Sequence, residues 1–580
     1  MVKLVYKNEE KYVFYNGQKT EINHFELTIN IDKVALEYIR FIETQSINGL
    51  VLEEFYVYDG IPLYYFERPT IVLKIKQLIF ATEFIKMLLE KYKETLQVET
   101  DNEIFSSVCK NIFKLDVISS QANSTSEIVG IKKKSKMFYE AFLWIISGLK
   151  NYFLYKVTLD KRENICILTY TMNINLINKD EKKILYDTQM GTIVEKLRDT
   201  YKIFNFEFLG NRKLLEKSLK LKGNTIPFEF LLILKKLNKN RLINIKLLEN
   251  NMKNLVEIDY SYNNFDFKNI ILHNIFNDLK IRFDKDLNEI LMLEKFFKKS
   301  KINKCIVTDE GDRARCFITA GNRNGVHTYS IQHGLITDTS PEYIFNSKYL
   351  DILIPKHTFV WGNNYKKILV DNTNIYKETN VDIVGQLRTD LLFEKYLRPK
   401  EKNGIKLKIL YATQYFKDIL EPATTMLFEA LEKIKVEYEI IIKLHPSDHY
   451  FDFYKSMANK YSIKNFRILK DGDIYDLMNW CSVIVSVHST VVQEGTLLNK
   501  PSICIRLPKY NDLGGFIEAG ISFGVSDKDE LIYIFEHLDD NKGLLISKMT
   551  EYVADNFYKI DGCVALRIIE RITGELEVKM

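Results

Sequence analysis

No Cys-x-x-Cys pair occurs in this chain, although its 580 residues include seven cysteines, at 109, 166, 305, 316, 481, 504 and 563. They are scattered, and several sit in apolar runs such as Cys305-Ile-Val and Ile503-Cys504-Ile505. They read as buried, reduced thiols of a cytoplasmic protein, not as a disulfide frame or a zinc site. An excess of either charge is also missing. Lys and Arg number 82 against 77 Asp and Glu, a formal net charge of +5, so bulk charge gives nucleic-acid binding no support. No apolar run reaches the roughly 20 residues of a membrane-spanning helix. The longest, Phe138 to Leu149 and Ile226 to Leu234, are short or interrupted by charge. The N-terminus, Met1-Val-Lys-Leu-Val-Tyr-Lys, has charges where a signal peptide has its apolar core. Peripheral attachment at the inner face of the plasma membrane stays open through Lys132-Lys-Lys-Ser-Lys136, just before Phe138-Tyr139 and Phe142-Leu143-Trp144. The plainer reading there is a solvated loop leading into a buried helix. There is no internal repeat and no low-complexity tract. A phosphate-binding Gly-x-x-x-x-Gly-Lys-Ser/Thr loop, a Gly-x-Ser-x-Gly elbow and a His-Glu-x-x-His helix are all absent, which argues against kinases, serine hydrolases and metalloproteases.

What is present belongs to a folded protein: 46% hydrophobic and 27% charged residues. The length implies two or three domains. Sixteen of the 24 glycines, seven of the ten prolines and seven of the nine histidines follow residue 300, so turn chemistry and site chemistry concentrate there.

Residues 1–155 read as an α+β accessory region, with short strands at 11–15 and 54–58, a helix over 71–95 and more helix at 137–155. From about 160 the pattern becomes strand–helix alternation. Apolar runs at 164–171, 203–209, 305–308, 328–331 and 358–361 form a first series. Those at 382–384, 407–411, 438–443, 466–469, 483–487 and 502–505 form a second. Strands separated by helices imply parallel sheets of right-handed βαβ units. The expectation is an α/β chain with two Rossmann-like doubly wound domains facing a cleft, at 156–370 and 371–545, and closing helices at 546–580 packing back toward the first domain.

Several polar turns end these strands, at the sheet edge where α/β proteins bind ligands. Gln332-His333-Gly334 combines a histidine with a residue that allows close backbone approach. Asp309-Glu310-Gly311, with Arg313 in the helix behind it, offers a carboxylate as general base, or Asp309 as a helix cap. Lys443-Leu444-His445-Pro446 ends the strongest strand, its proline fixing the backbone after the imidazole. Ser486-Val487-His488-Ser489-Thr490, then Glu494-Gly495, reads as strand, hydroxyl turn and helix start, suited either to a phosphate or to ordinary capping. Glu494 lies one helical turn after Thr490, on the same face, and is placed to accept ribose hydroxyls. Asp471-Gly472-Asp473 has the Asp-x-Asp form of some metal sites, but Asp473 also precedes a helical pattern as a cap should, and no metal is expected.

These residues, together with Val360-Trp361-Gly362, Val384-Gly385, Lys500-Pro501 and Ile560-Asp561-Gly562 with Arg567-Ile568, resemble bacterial GT-B glycosyltransferases of surface and capsular polysaccharide assembly. The resemblance spans about 300–570, more weakly from 160, and leaves 1–155 uncovered. Asp309-Glu310-Gly311, His445-Pro446 and Ser489-Thr490 are similar to three short motifs of bacterial sialyltransferases and polysialyltransferases; capsular Kdo transferases have a related acidic-Gly motif. The resemblance implies an inverting transfer from a nucleotide-sugar, CMP-linked acid sugar or UDP-sugar, to a glycan or glycolipid acceptor, with no cofactor required. It implies Asp309 or Glu310 as base with His333 nearby, and Lys443, His445, Pro446, Ser486, His488, Ser489, Thr490 and Glu494 around the nucleotide. Gly311, Arg313, Gln332 and Gly334 would line the acceptor side. Teichoic acid polyol-phosphate transferases, which use CDP-polyols, also have a His-Gly turn and a His-Pro, but usually with Trp where this chain has Gln332. UDP-N-acetylglucosamine 2-epimerases share the fold and a similar Ser-Thr…Glu pattern. A non-catalytic nucleotide-sugar-binding module is the remaining alternative.

Overall fold

Residues such as Ile409, Leu410 and Tyr411, or Ile440, Ile441 and Ile442, are buried in succession. Side chains alternate faces along a strand, so such runs need cover on both sides, as a parallel sheet between helices provides. Two sheets of this kind organise the chain. The computed structural model describes residues 2–119, Phe142, Ile146, 148–150, 162–208, 225–228, 253–396 and 407–574, apart from short breaks at 8–10, 23–24, 26, 180–181, 416, 446–447, 471, 508–509, 511 and 513. Lys132–Lys136 and most of the expected helix at 137–155 lie outside the described residues. No described helix is long and apolar enough to cross a membrane.

By its contacts the chain falls into two units, one of Met1–Asn175, Leu185–Phe359 and Lys366–Asp382, the other of Leu176–Ile184, Val360–Tyr365 and Ile383–Met580. In the first unit the N-terminal region forms a five-stranded sheet from β1 (Val2–Tyr6), β2 (Lys11–Tyr15), β3 (Gln18–Glu21), β4 (Leu96–Thr100) and β5 (Val117–Ser119), in the order β3-β2-β1-β4-β5. With it come α1 (Ile31–Thr44), whose start Asn30 caps through the amide of Lys33, and α2 (Tyr64–Tyr92). The helix expected at 71–95 thus begins earlier and ends at Tyr92, where Lys93 turns left-handed three residues before β4. Of the strand expected at 54–58 only Val57–Tyr58 is extended, because Leu52–Phe55 form a helical turn.

The main sheet of this unit comprises β6 (Asn164–Tyr170), β7 (Lys202–Phe208), β8 (Thr225–Pro227), β9 (Ile302–Thr308), β10 (His327–Ile331), β11 (His357–Val360) and β12 (Val381–Ile383), in the order β8-β7-β6-β9-β10-β11-β12. Its first six strands pair in parallel. The helices α3 (Leu279–Ser300) and α4 (Asp312–Arg323) flank β9 in sequence. The strand at 381–383, expected to open the second series, instead closes the first sheet: Thr358 N–H donates to Asn380 O and Val384 N–H to Val360 O. One short helix, Asn363–Asn372, separates it from β11, and so short a crossover returns the chain beside its parent strand.

In the second unit β13 (Leu407–Ala412), β14 (Tyr438–Lys443), β15 (Phe466–Leu469), β16 (Val483–Ser486), β17 (Ser502–Ile505) and β18 (Phe523–Val525) lie in the order β15-β14-β13-β16-β17-β18, all parallel. Ile409, Tyr411, Ile440 and Ile442 pack on one face with Leu427 and Phe428 of α5 (Lys417–Lys433), while Leu410, Ile441, Met478 and Ile484 pack on the other. After β16 comes α6 (Thr490–Thr496), where a Cβ at Gly495 would stand 2.5 Å from Ile484 Cδ1. That glycine is needed for the helix to lie against its strand.

The closing helices α7 (Leu538–Phe557) and α8 (Val564–Thr573) pack on residues of this same unit. Trp361 stacks on Phe557 at 6.0 Å, and a Cβ at Gly362 would lie 2.2 Å from Asp555 O. Asp390 accepts from the amides of Val564 and Ala565 at the start of α8. Arg567 donates to Val384 O and pairs with Asp561. Trp361-Gly362, Val384-Gly385 and Asp561-Gly562 are therefore packing motifs. Residues 371–382 group with the first unit and 360–365 with the second, a finer division than a boundary at 370.

Candidate active site

Counted along the chain, each parallel sheet starts in its middle, runs outward in one direction and then resumes on the other side. The reversal falls between β6 and β9 in the first unit and between β13 and β16 in the second. Helices leave opposite faces at such a point, so the carboxyl ends of the two central strands border a crevice. Asp309-Glu310-Gly311 follows β9, and Val487-His488-Ser489-Thr490 follows β16. Each unit thus carries one of the polar turns at its own switch point.

In the first unit Asp309 has φ +66°, a left-handed conformation uncommon outside glycine and tolerated by Asp through local hydrogen bonding. Its Oδ1 accepts from Gly311 N at 2.8 Å, and its own N–H donates to Ile331 O at 3.0 Å. Oδ2 stands 3.8 Å from His333 Nδ1; the two side chains are 16% and 40% exposed. Burial pushes the Asp309 carboxyl up to about 7, with the charges of Glu342 and Glu310 acting in the same direction and the Gly311 amide and Arg315 opposing. A carboxyl titrating there is matched to proton abstraction near neutral pH. Gln332 is buried and shapes the turn, its amide donating to Gly334 O at 2.8 Å. Gln189 Nε2 reaches His333 O at 3.5 Å from the loop that Asp187 organises by accepting from Gln189 N and Met190 N.

Glu310 and Arg313 do not join that edge. Glu310 is buried and accepts from three hydroxyls, Ser330 Oγ at 2.6 Å and Thr358 Oγ1 at 2.7 Å on one oxygen, Tyr376 OH at 2.6 Å on the other. Between two carboxylates the structure therefore separates one at the edge from one sealed beneath the sheet. Arg313, expected on the acceptor side, turns inward: it is buried, paired with Glu289 of α3, with its guanidinium over Phe208 and Phe228 at 5.5 and 6.0 Å. The amphipathic α4 buries that face, and an arginine there needs a carboxylate partner.

In the second unit the turn after β14 is built on Asp448. This buried carboxylate accepts from Thr413 Oγ1 at 2.7 Å, Tyr454 OH at 2.8 Å and Tyr450 N at 2.9 Å. Thr413 Oγ1 in turn accepts from His445 N at 3.1 Å. The imidazole lies against the Tyr415 ring, centroids 4.7 Å apart. Burial holds its pKa below the usual histidine value, opposed by Asp448 and helped by the Lys443 and Lys470 charges, which favours the neutral imidazole. Pro446 lies outside the described residues. Lys443 Nζ donates to Leu444 O and Lys470 O.

Across the switch point Ser486 Oγ ties β16 to β13 by donating to Ala412 O at 2.8 Å. His488 stacks on Tyr510 at 5.5 Å. Ser489 caps α6 through Val491 N at 3.3 Å, and Thr490 beside it is exposed. Glu494 faces the half-buried Tyr475, whose hydroxyl is pushed well above its usual range by burial and then by the Glu494 charge, with Arg388 opposing. Asp473 caps the helix before β16 through Tyr475 N, as its sequence position suggested; Asp471 lies outside the described residues. Thr413, Tyr415, Asp448 and Gln189 carry no sequence signal beyond nearness to a strand end. Only strand order brings Thr413 to the reversal point.

No family model matches the chain. An uncharacterised protein of Methanocaldococcus jannaschii is 28% identical over 276 residues, 45% of this chain and 47% of that protein, so the chain matches about half the length of this curated relative. Among solved structures, UDP-GlcNAc 2-epimerase of Neisseria meningitidis bound to UDP-GlcNAc aligns over 71% of this chain and 100% of its own, at 13% identity and a TM-score of 0.47. MurG of Acinetobacter baumannii aligns over 71% and 99%, at 9% identity and a TM-score of 0.40.

Proposed function

We propose that the protein is an inverting glycosyltransferase that uses a nucleotide-activated sugar, CMP-linked acid sugar before UDP-sugar, with a surface glycan or glycolipid as acceptor. The observation that carries this reading is Asp309: a partly accessible carboxyl at a switch point, poised near pH 7, with an imidazole 3.8 Å away. In the reaction the acceptor hydroxyl oxygen bonds to the anomeric carbon and the bond from that carbon to the donor's phosphate oxygen breaks. The nucleotide leaves with the bonding pair, and Asp309 takes the hydroxyl proton. His333 orients the carboxyl and the acceptor. The second unit holds the nucleotide. His445, held by the Asp448–Thr413 frame, and the exposed hydroxyl of Thr490 meet its phosphate, and the apolar ring of Tyr415 offers a stacking face. Fixed donors of this kind stabilise a leaving phosphate because they need no reorganisation as charge develops.

The experiment is a thermal-shift panel of CMP, CDP, UDP and GDP, since a ligand bound only to the folded state raises its melting temperature. CMP is expected to stabilise most, and His445→Ala and Thr490→Ala to remove the shift. Stabilisation by UDP alone, with UDP-GlcNAc converted in the absence of any acceptor, would replace transfer by epimerisation. Release of CMP from a CDP-polyol would indicate polyol-phosphate transfer instead. Indifference to all four nucleotides would sink the reading.

A further inference from the structure

The N-terminal region, which the sequence motifs leave without a role, reaches the loop that follows His333. We infer that it is a brace for the acidic turn, with Arg68 as a positioning residue for Asp309 and His333; this rests on the proposed role of Asp309.

Arg68, in the first turns of α2, is fully buried. Its guanidinium donates to both oxygens of Glu43 on α1, at 2.6 and 3.3 Å, and through Nη1 to Pro341 O at 2.9 Å. Tyr64 OH completes the Glu43 carboxylate at 2.7 Å. The next residues of the loop are fastened as well. Tyr65 OH donates to Asn346 O at 2.5 Å, Ser347 Oγ to Glu53 at 2.7 Å, and Lys348 pairs with Glu54. Phe345 lies between two buried arginines, 5.8 Å from Arg68 and 4.8 Å from Arg315. Arg315 donates one nitrogen to Glu310 O at 2.9 Å and to Glu342 O at 2.6 Å.

A continuous path therefore runs from Glu43 through Arg68 to Pro341, Glu342 and Phe345, and by Arg315 to the residue next to Asp309. A buried arginine bonded on three sides is a costly feature that a merely apolar contact would not need. Its geometry fixes a carbonyl one residue from Glu342, a charge that acts on Asp309. The groups facing Asp309 are His333, Glu310, Glu342, Arg315, the half-buried Tyr170 and the buried Tyr343. Of these, Glu342 and Tyr343 belong to the braced loop.

The test compares the full chain with Arg68→Leu, Arg68→Lys and the milder Tyr65→Phe and Ser347→Ala. Amide exchange across residues 335–348 is expected to rise about tenfold in Arg68→Leu while peptides of β13–β17 stay at the original rate. Arg68→Lys, which keeps the Glu43 pair but not the fork, should fall between. In turnover assays the acidic limb of the kcat/KM profile should move to lower pH, because a looser loop admits water and takes Glu342 from Asp309. Unchanged exchange in folded Arg68→Leu, or in both milder variants should that protein not fold, overturns the brace whether or not the enzyme transfers sugar. Raised exchange with an unmoved limb overturns the positioning role. A chain with no transferase activity that still shows the exchange change refutes the function proposed for Asp309, while the brace stands.

Discussion

Asp309 and Glu310 are neighbours with opposite fates. Backbone geometry turns one to the sheet edge and the other under it. Asp309→Asn is expected to lower kcat by about 10²–10⁴ with little change in KM, as for loss of a general base. On the proposed function, kcat/KM of the unsubstituted protein should rise with pH up to about 7 and then level, since the base acts ionised. Stability follows the opposite course. The folded carboxyl binds its proton more tightly than the unfolded one, so its stabilising contribution is full below pH about 4 and is lost as pH rises through about 7, a change on the order of 1–4 kcal/mol that Asp309→Asn should abolish. Melting temperatures of both proteins between pH 4 and 8 check this. Glu310→Ala should instead cost about 3 kcal/mol of stability, read by denaturant titration, because three buried hydroxyls lose their acceptor.

At the scale of elements, strand ends place the chemistry and small residues let helices approach. Gly495 sits where a side chain would meet Ile484, and Gly362 where one would meet the α7 backbone. Gly495→Val is expected to destabilise the second unit by about 1–3 kcal/mol through overpacking and to weaken nucleotide stabilisation, since α6 would be pushed from β16 and carry Thr490 with it. A lower melting temperature with the CMP shift fully retained would contradict the second half of that expectation. The helix spacing that opens at Ile71, the Asp473 cap and most apolar strand runs of the two main sheets were legible beforehand, because these follow from local propensity and period, whereas α1 and its Asn30 cap were not. Strand β18 was not, since Phe523-Gly-Val525 is too short and too weakly apolar to stand out.

At the scale of the molecule, the units are not consecutive stretches of chain. Val360–Tyr365 groups with the second unit, where Trp361 stacks on Phe557 and Asn364 bonds Asn556. A fragment of residues 356–574 should therefore melt at a higher temperature than one of 383–574, which lacks these contacts; circular dichroism against temperature distinguishes them.

What the sequence determined by itself was local: which runs become strands, which turns end them, and that His333, Asp309, His445 and Ser489 stand at strand ends. These follow from side-chain period, proline, glycine and capping chemistry, all of which act within a few residues. Strand order was decided only by the tertiary structure. It puts Asp309 and the Ser489-Thr490 turn at switch points, sends Glu310 and Arg313 inward, moves 381–383 into the first sheet and brings Arg68 to the loop after His333. Those outcomes depend on packing between residues up to hundreds of positions apart, where burial and charge pairing outweigh anything a short motif encodes.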